Sequence, residues 1–139
     1  MKTISVLLMS LFMLCSFYSC NGQEKKDNSQ SIKSKNIEVY YFHYTRRCAT
    51  CLAVENEARE AIKKFFPEEY KSGSITFTSA NLDEKDGEAL GKKKGASGQT
   101  VLIIKGDKKL DLTNEGFMYA RTNPEKYHEK IKEAIEGLL

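Results

Sequence analysis

The sequence predicts an α/β fold, a mixed four-stranded sheet flanked by helices in the order β-α-β-α-β-β-α. Three observations predict it. Short strand-like apolar runs alternate with stretches of helical period. Two strand–helix–strand units come first, and such units return the chain to the same sheet by a crossover. A hairpin and a closing amphipathic helix follow them.

Ile37 to Tyr44 (IEVYYFHY) is rich in β-branched and aromatic residues and reads as a strand buried on both faces. Cys48 to Phe66 reads as a helix, with Cys51, Val54, Ala58, Ala61, Ile62 and Phe65 forming one apolar stripe before Pro67 stops it. Ser74 to Leu82 is the second strand, with Ile75 and Phe77 alternating against Thr76 and Thr78. Asp83 is the expected N-cap of a short helix through Lys94, although Gly87 and Gly91 disfavour that helix. Thr100 to Lys105 is a continuous apolar strand. Gly106-Asp107 turns it into a hairpin partner at Lys108 to Thr113. Asn123-Pro124 caps and opens the last helix, which carries Tyr127, Ile131, Ala134, Ile135 and Leu138 on one face.

The chain has 139 residues, 40% of them hydrophobic and 29% charged, the balance of one globular domain plus an extension. The net charge of +3 includes Lys2, and the lysines are scattered without a basic arm, which excludes a case for nucleic acid. Met1-Lys2 followed by an apolar run from Ile4 to Phe17 reads as a signal-peptide core, too short for a membrane span. It ends in Ser19-Cys20, which resembles a bacterial lipobox and makes Cys20 the expected lipidated N-terminus. An ordinary cleaved signal leaving Cys20 free is the alternative. The expected organisation is a leader at 1–20, a polar tether at 21–36 and one domain at 37–139. The expected location is a lipoprotein of the bacterial cell envelope facing the periplasm, held at the lipid membrane by its anchor. A monomer is expected.

Export simplifies the cysteines. Cys15 leaves with the leader and Cys20 carries lipid, so Cys48 and Cys51 remain where disulfides persist. Cys48-Ala49-Thr50-Cys51 lies where the first strand passes to the first helix. A helix N-terminus offers unpaired N–H groups and a partial positive charge that stabilise a thiolate. Arg46 and Arg47 add positive charge, and His43 is a further candidate for tuning the thiol. Cys48 is the expected nucleophile, and Cys51, which begins the apolar stripe, the resolving thiol. No bound cofactor is expected beyond a redox-active Cys48–Cys51 disulfide.

Three other readings stay open. A structural disulfide is one, although so short a loop gains little from closure. A structural zinc site would need both thiols with His43 and His128, which lie far apart in sequence. The two thiols alone would suit Cu(I) or trivalent arsenic, which makes a soft-ion binding module the alternative function.

Taken together, the strand, the C-x-x-C helix and the segment GASGQTVL (95–102) resemble thioredoxin over about residues 37 to 138. More closely, YYFHYTRRCATCLAVE (40–55) with SGQTVLII (97–104) is similar to a small bacterial family of exported thioredoxin-like proteins, the ArsF-type subunit of nitrophenyl-compound nitroreductase. Thioredoxins carry a cis-proline opposite the cysteines. Gln99 stands there in this chain, followed by Thr100, so a trans bond is expected because cis bonds are essentially confined to proline. The resemblance implies a subunit that passes electrons in reduction of nitroaromatic or arsenical compounds, beside a redox partner protein or membrane permease. Nitro reduction needs a carrier such as flavin. The chain has no G-x-G-x-x-G, so that cofactor would sit on the partner.

Overall fold

A computed structural model of the chain describes residues 35–139. The expected leader, Cys20 and residues 21–34 of the expected tether lie outside the described residues. Asn36, at the tether's end, donates from Nδ2 to the carbonyl of Gly73 (3.3 Å), beside the start of the sheet.

The strands are β1 (Ile37–His43), β2 (Ile75–Asn81), β3 (Thr100–Lys105) and β4 (Lys108–Asp111). The helices are α1 (Ala49–Phe65), α2 (Pro67–Ser72), α3 (Lys85–Lys94), α4 (Thr113–Tyr119) and α5 (Pro124–Glu136). The sheet order is β2-β1-β3-β4, with β1 parallel to β2 and antiparallel to β3, and β3 antiparallel to β4. This is the mixed four-stranded sheet that the element pattern predicts.

β1 sits inside the sheet, and its alternation feeds two cores. Val39 and Tyr41 join Ile75, Val101 and Ile103 beneath α1 and α5, where Val54, Ala58, Ile62, Tyr127, Ile131 and Ile135 are buried. Tyr40 and Phe42 point to the other face, with Ala80 and Leu102, against Leu90 of α3. A strand covered on both sides is mostly apolar, which accounts for the run IEVYYFHY, in which the half-buried Glu38 pairs with Lys94 of α3. β4 is exposed along its length and carries Lys108 and Lys109, charges that discourage pairing with another chain at this edge.

Three details depart from the sequence pattern. Pro67 ends α1 but also opens α2, because proline suits the first helical position and Glu68 and Glu69 favour a helix N-terminus. The hairpin partner stops at Asp111, whose Oδ1 accepts from the backbone N–H of Thr113 (2.9 Å), and α4 begins there. Gly116 makes α4 a poor helix by propensity, yet close packing requires it. A Cβ there would lie 3.0 Å from the Tyr127 hydroxyl and 3.1 Å from Val54. Asp83 does not cap α3. Its Oδ2 accepts from the backbone N–H of Thr45 (2.8 Å), and Glu84 occupies the cap position without a side-chain capping bond, its Oε1 accepting instead from Asn81 Nδ2 (3.1 Å). The order is therefore β-α-α-β-α-β-β-α-α, two short helices more than expected.

Candidate redox-active site

β1 runs from the buried sheet into an exposed loop, Tyr44 to Arg46, and α1 begins at Ala49. The loop is tied down. Asn81 Nδ2, at the end of β2, donates to Thr45 Oγ1 (2.9 Å), while the Asp83 carboxylate holds the Thr45 N–H. That hydrogen bond, above all, holds the Asp83 carboxyl below the usual range, with the nearby His43 contributing least. The residues before the thiols are thereby fixed to the turn that follows β2.

Cys48 is the N-cap of α1, and its Sγ accepts a hydrogen bond from the Cys51 N–H (3.2 Å). This is the contact by which a helix N-terminus stabilises negative charge on sulfur. Cys48 and Cys51 form a disulfide, with Cα atoms 5.1 Å apart. Cys48 is exposed, whereas Cys51 is buried at 5% exposure. The difference follows from helix phase. Cys51 starts the stripe that continues through Val54, Ala58 and Ile62 into the core, and Cys48 precedes the first turn at the surface.

The two arginines part company. Arg46 is exposed on the loop. Arg47 folds back under α1, where its guanidinium pairs with Glu55, lies 5.5 Å from the centre of the Tyr41 ring and donates to the Cys51 carbonyl (3.4 Å). Glu55 also takes Arg59 at 2.8 Å. Burial pushes the Glu55 carboxyl up, but the hydrogen bond from Arg47 and the charges of both arginines outweigh it, leaving it below the usual range. Burial raises the Tyr41 phenol against the opposing pull of Arg47, so the ring stays neutral beneath the pair. The sequence pattern marks no site role for Glu55 and reads Tyr41 only as part of the buried first strand. The available signal was an acid one turn after Cys51, on the stripe that should be apolar.

Gln99 immediately precedes β3 and Thr100 begins it, beside the end of β1. Gln99 Nε2 donates to the Tyr41 hydroxyl (3.4 Å), which links the 97–100 loop to the ring under Arg47. Thr100 is buried opposite Phe42, and its hydroxyl donates to the Gly98 carbonyl (2.8 Å). The peptide bond before Gln99 is trans. His43 shares the Tyr41 side of β1, with its ring centre 5.7 Å from that of Tyr41 and Nδ1 3.0 Å from the Tyr44 carbonyl. His128 lies on α5, paired with Glu57 of α1 at 2.7 Å. Among the described residues, no cluster of three or more His, Cys, Asp and Glu side chains is placed to hold a metal ion.

A mixed sheet of this order, with a C-x-x-C disulfide at the start of the helix after its inner strand, defines a thioredoxin-like domain. No protein-family model and no curated protein matches the chain. Among solved structures, the germline-specific thioredoxin Deadhead of Drosophila melanogaster is similar at 16% identity and a TM-score of 0.47, covering 76% of this chain and 83% of its own. Thioredoxin O2 from Arabidopsis thaliana in the oxidized state is similar at 21% identity and a TM-score of 0.42, covering 55% of this chain and 60% of its own. A malarial protein gives 21% identity and a TM-score of 0.40, covering 54% of this chain and 75% of its own. The fold assignment rests on the strand order and connections of the chain itself.

Proposed function

We propose that this protein is a thiol–disulfide oxidoreductase or electron relay that works through Cys48 and Cys51. The observation that carries the reading is the asymmetry of the pair: an exposed Cys48 whose sulfur takes a helix N–H, bridged to a buried Cys51. In the reducing direction the Cys48 thiolate attacks one sulfur of a partner disulfide. A mixed disulfide forms and one partner thiolate leaves. Cys51 gives up its proton and attacks Cys48 Sγ, and the second partner thiolate leaves. Two electrons pass to the partner, and the Cys48–Cys51 disulfide is regenerated. Every step runs in reverse when the partner is the dithiol. The exposed Tyr44 and Leu52, on either side of Cys48 in the chain, offer apolar surface to a macromolecular partner.

The lipobox-like Ser19-Cys20 supports work at a membrane surface of the cell envelope. The similarity of segments 40–55 and 97–104 to the nitroreductase-subunit family supports a role passing electrons toward nitroaromatic or arsenical reduction, with the reducing cofactor on a partner. The test is paired substitution. Cys48→Ser abolishes exchange with a model disulfide, and Cys51→Ser accumulates a mixed disulfide at Cys48. Exchange that survives Cys48→Ser, or a mixed disulfide that collects on Cys51, overturns the assignment.

A further inference from the structure

Arg47 precedes the nucleophile in sequence, and its Nη2 reaches the carbonyl of the resolving cysteine (3.4 Å), so its cation lies along the first turn of the thiol pair. Left unpaired, that cation would favour a thiolate. Glu55 opposes it directly. One turn beyond Cys51 on the same helix, with a side chain only 12% exposed, it pairs with Arg47. The pair is flanked by Tyr41, which lies under the guanidinium, and by Arg59 on the other carboxylate oxygen. A buried ion pair of this kind is weak evidence for stability, because desolvation offsets much of its attraction. Its place in the fold points elsewhere. The apolar stripe of α1 gives up one buried position to an acid, at the turn that follows the resolving cysteine.

We infer that Arg47 and Glu55 are opposed positioning residues that set the charge balance under Cys48 and Cys51, Glu55 restraining the thiolate and Arg47 promoting it. The inference rests on the thiol–disulfide reading above. Neither residue touches the partner sulfur. Each acts through the thiols, and their removal shifts the pair in opposite directions. A purely structural clamp behaves otherwise, since breaking it from either side loosens the same turn and moves the thiols the same way.

The test uses the full chain with Cys15→Ser and Cys20→Ser as the parent, so that Cys48 and Cys51 are its only thiols, and the variants Glu55→Gln, Arg47→Gln and Arg47→Lys in that background. Two readouts are taken: thiolate absorbance of the reduced protein against pH, and the equilibrium of the pair with dithiothreitol. Glu55→Gln raises the thiolate fraction at neutral pH about threefold. It shifts the equilibrium toward the dithiol by a similar factor, about 14 mV at about 30 mV per tenfold change. Arg47→Gln shifts both readouts the other way, and Arg47→Lys, which keeps the charge, restores the parent values. If Arg47→Gln does not fold, the sign of Glu55→Gln decides alone. Shifts of the same sign in both variants, or none in either, overturn the inference. Thiolate titration needs no partner. A parent pair that fails to exchange with glutathione therefore refutes the oxidoreductase reading, while the titrations still decide the charge balance.

Discussion

Gly87→Ala sets two physical effects against each other. By helix propensity, alanine inside α3 should stabilise the protein by about 1 kcal/mol, since glycine is the poorer helix former by that amount. The structure gives the opposite sign. A Cβ at Gly87 would stand 1.9 Å from the Asn81 carbonyl oxygen and 2.6 Å from its carbon. Both sides of that contact are backbone, so no rotamer change relieves it and the first turn of α3 has to lift off the end of β2. Overpacking of this severity costs about 3 kcal/mol, the upper part of the usual range. The net expectation is a loss of roughly 2 kcal/mol. Urea unfolding followed by far-ultraviolet circular dichroism reads it. With a slope near 1.5 kcal/mol per molar, the midpoint falls by about 1.3 M. A midpoint unchanged or raised would refute the packing argument. Asn81 also holds Thr45, so the same variant loosens the loop before Cys48, and iodoacetamide labelling of the reduced protein should change with it.

Other outcomes follow from single groups. The Glu55 carboxyl is held below its ordinary value in the fold, so its contribution is fully present above the unfolded carboxylate value near about 4.3 and is lost as pH falls through the folded value. Urea midpoints measured down through that range should fall, and fall less in Glu55→Gln; equal slopes would contradict the linkage. The Tyr127 hydroxyl is buried with no hydrogen-bond partner among the described residues. Tyr127→Phe should therefore stabilise by about 1 kcal/mol in the same assay, and a loss of stability would show that the hydroxyl is satisfied. After mild reduction, Cys48 should be alkylated well before Cys51, read by peptide mass, because one sulfur is exposed and the other buried; equal rates would remove the structural basis for assigning their roles.

The sheet was legible in the sequence because β1 and β3 are covered on both faces and therefore read as largely apolar runs, interrupted in β1 only by Glu38 before its end at His43. α1 and α5 were legible because each turns one apolar stripe to the same core. The short helices were hidden. Pro67 carries the signal that stops one helix and also the one that starts another, and Gly116 is a packing requirement that looks like a helix breaker. Asp83 has the composition of a cap, but its carboxylate serves Thr45 across the loop, a tertiary contact with no local trace. At the site, the position of the thiols and the burial of Cys51 followed from spacing and helix phase. The fate of Arg47 did not, because adjacent arginines look alike until the helix supplies Glu55 to one of them.

The reduction potential of the Cys48–Cys51 pair tests the central claim most directly, measured by equilibration in glutathione and dithiothreitol buffers with the two states separated by alkylation. The account predicts reversible interconversion at a potential near about −270 mV or above, where the pair exchanges electrons with ordinary thiol partners. A pair that stays oxidised below about −300 mV would be an inert structural disulfide and would contradict it.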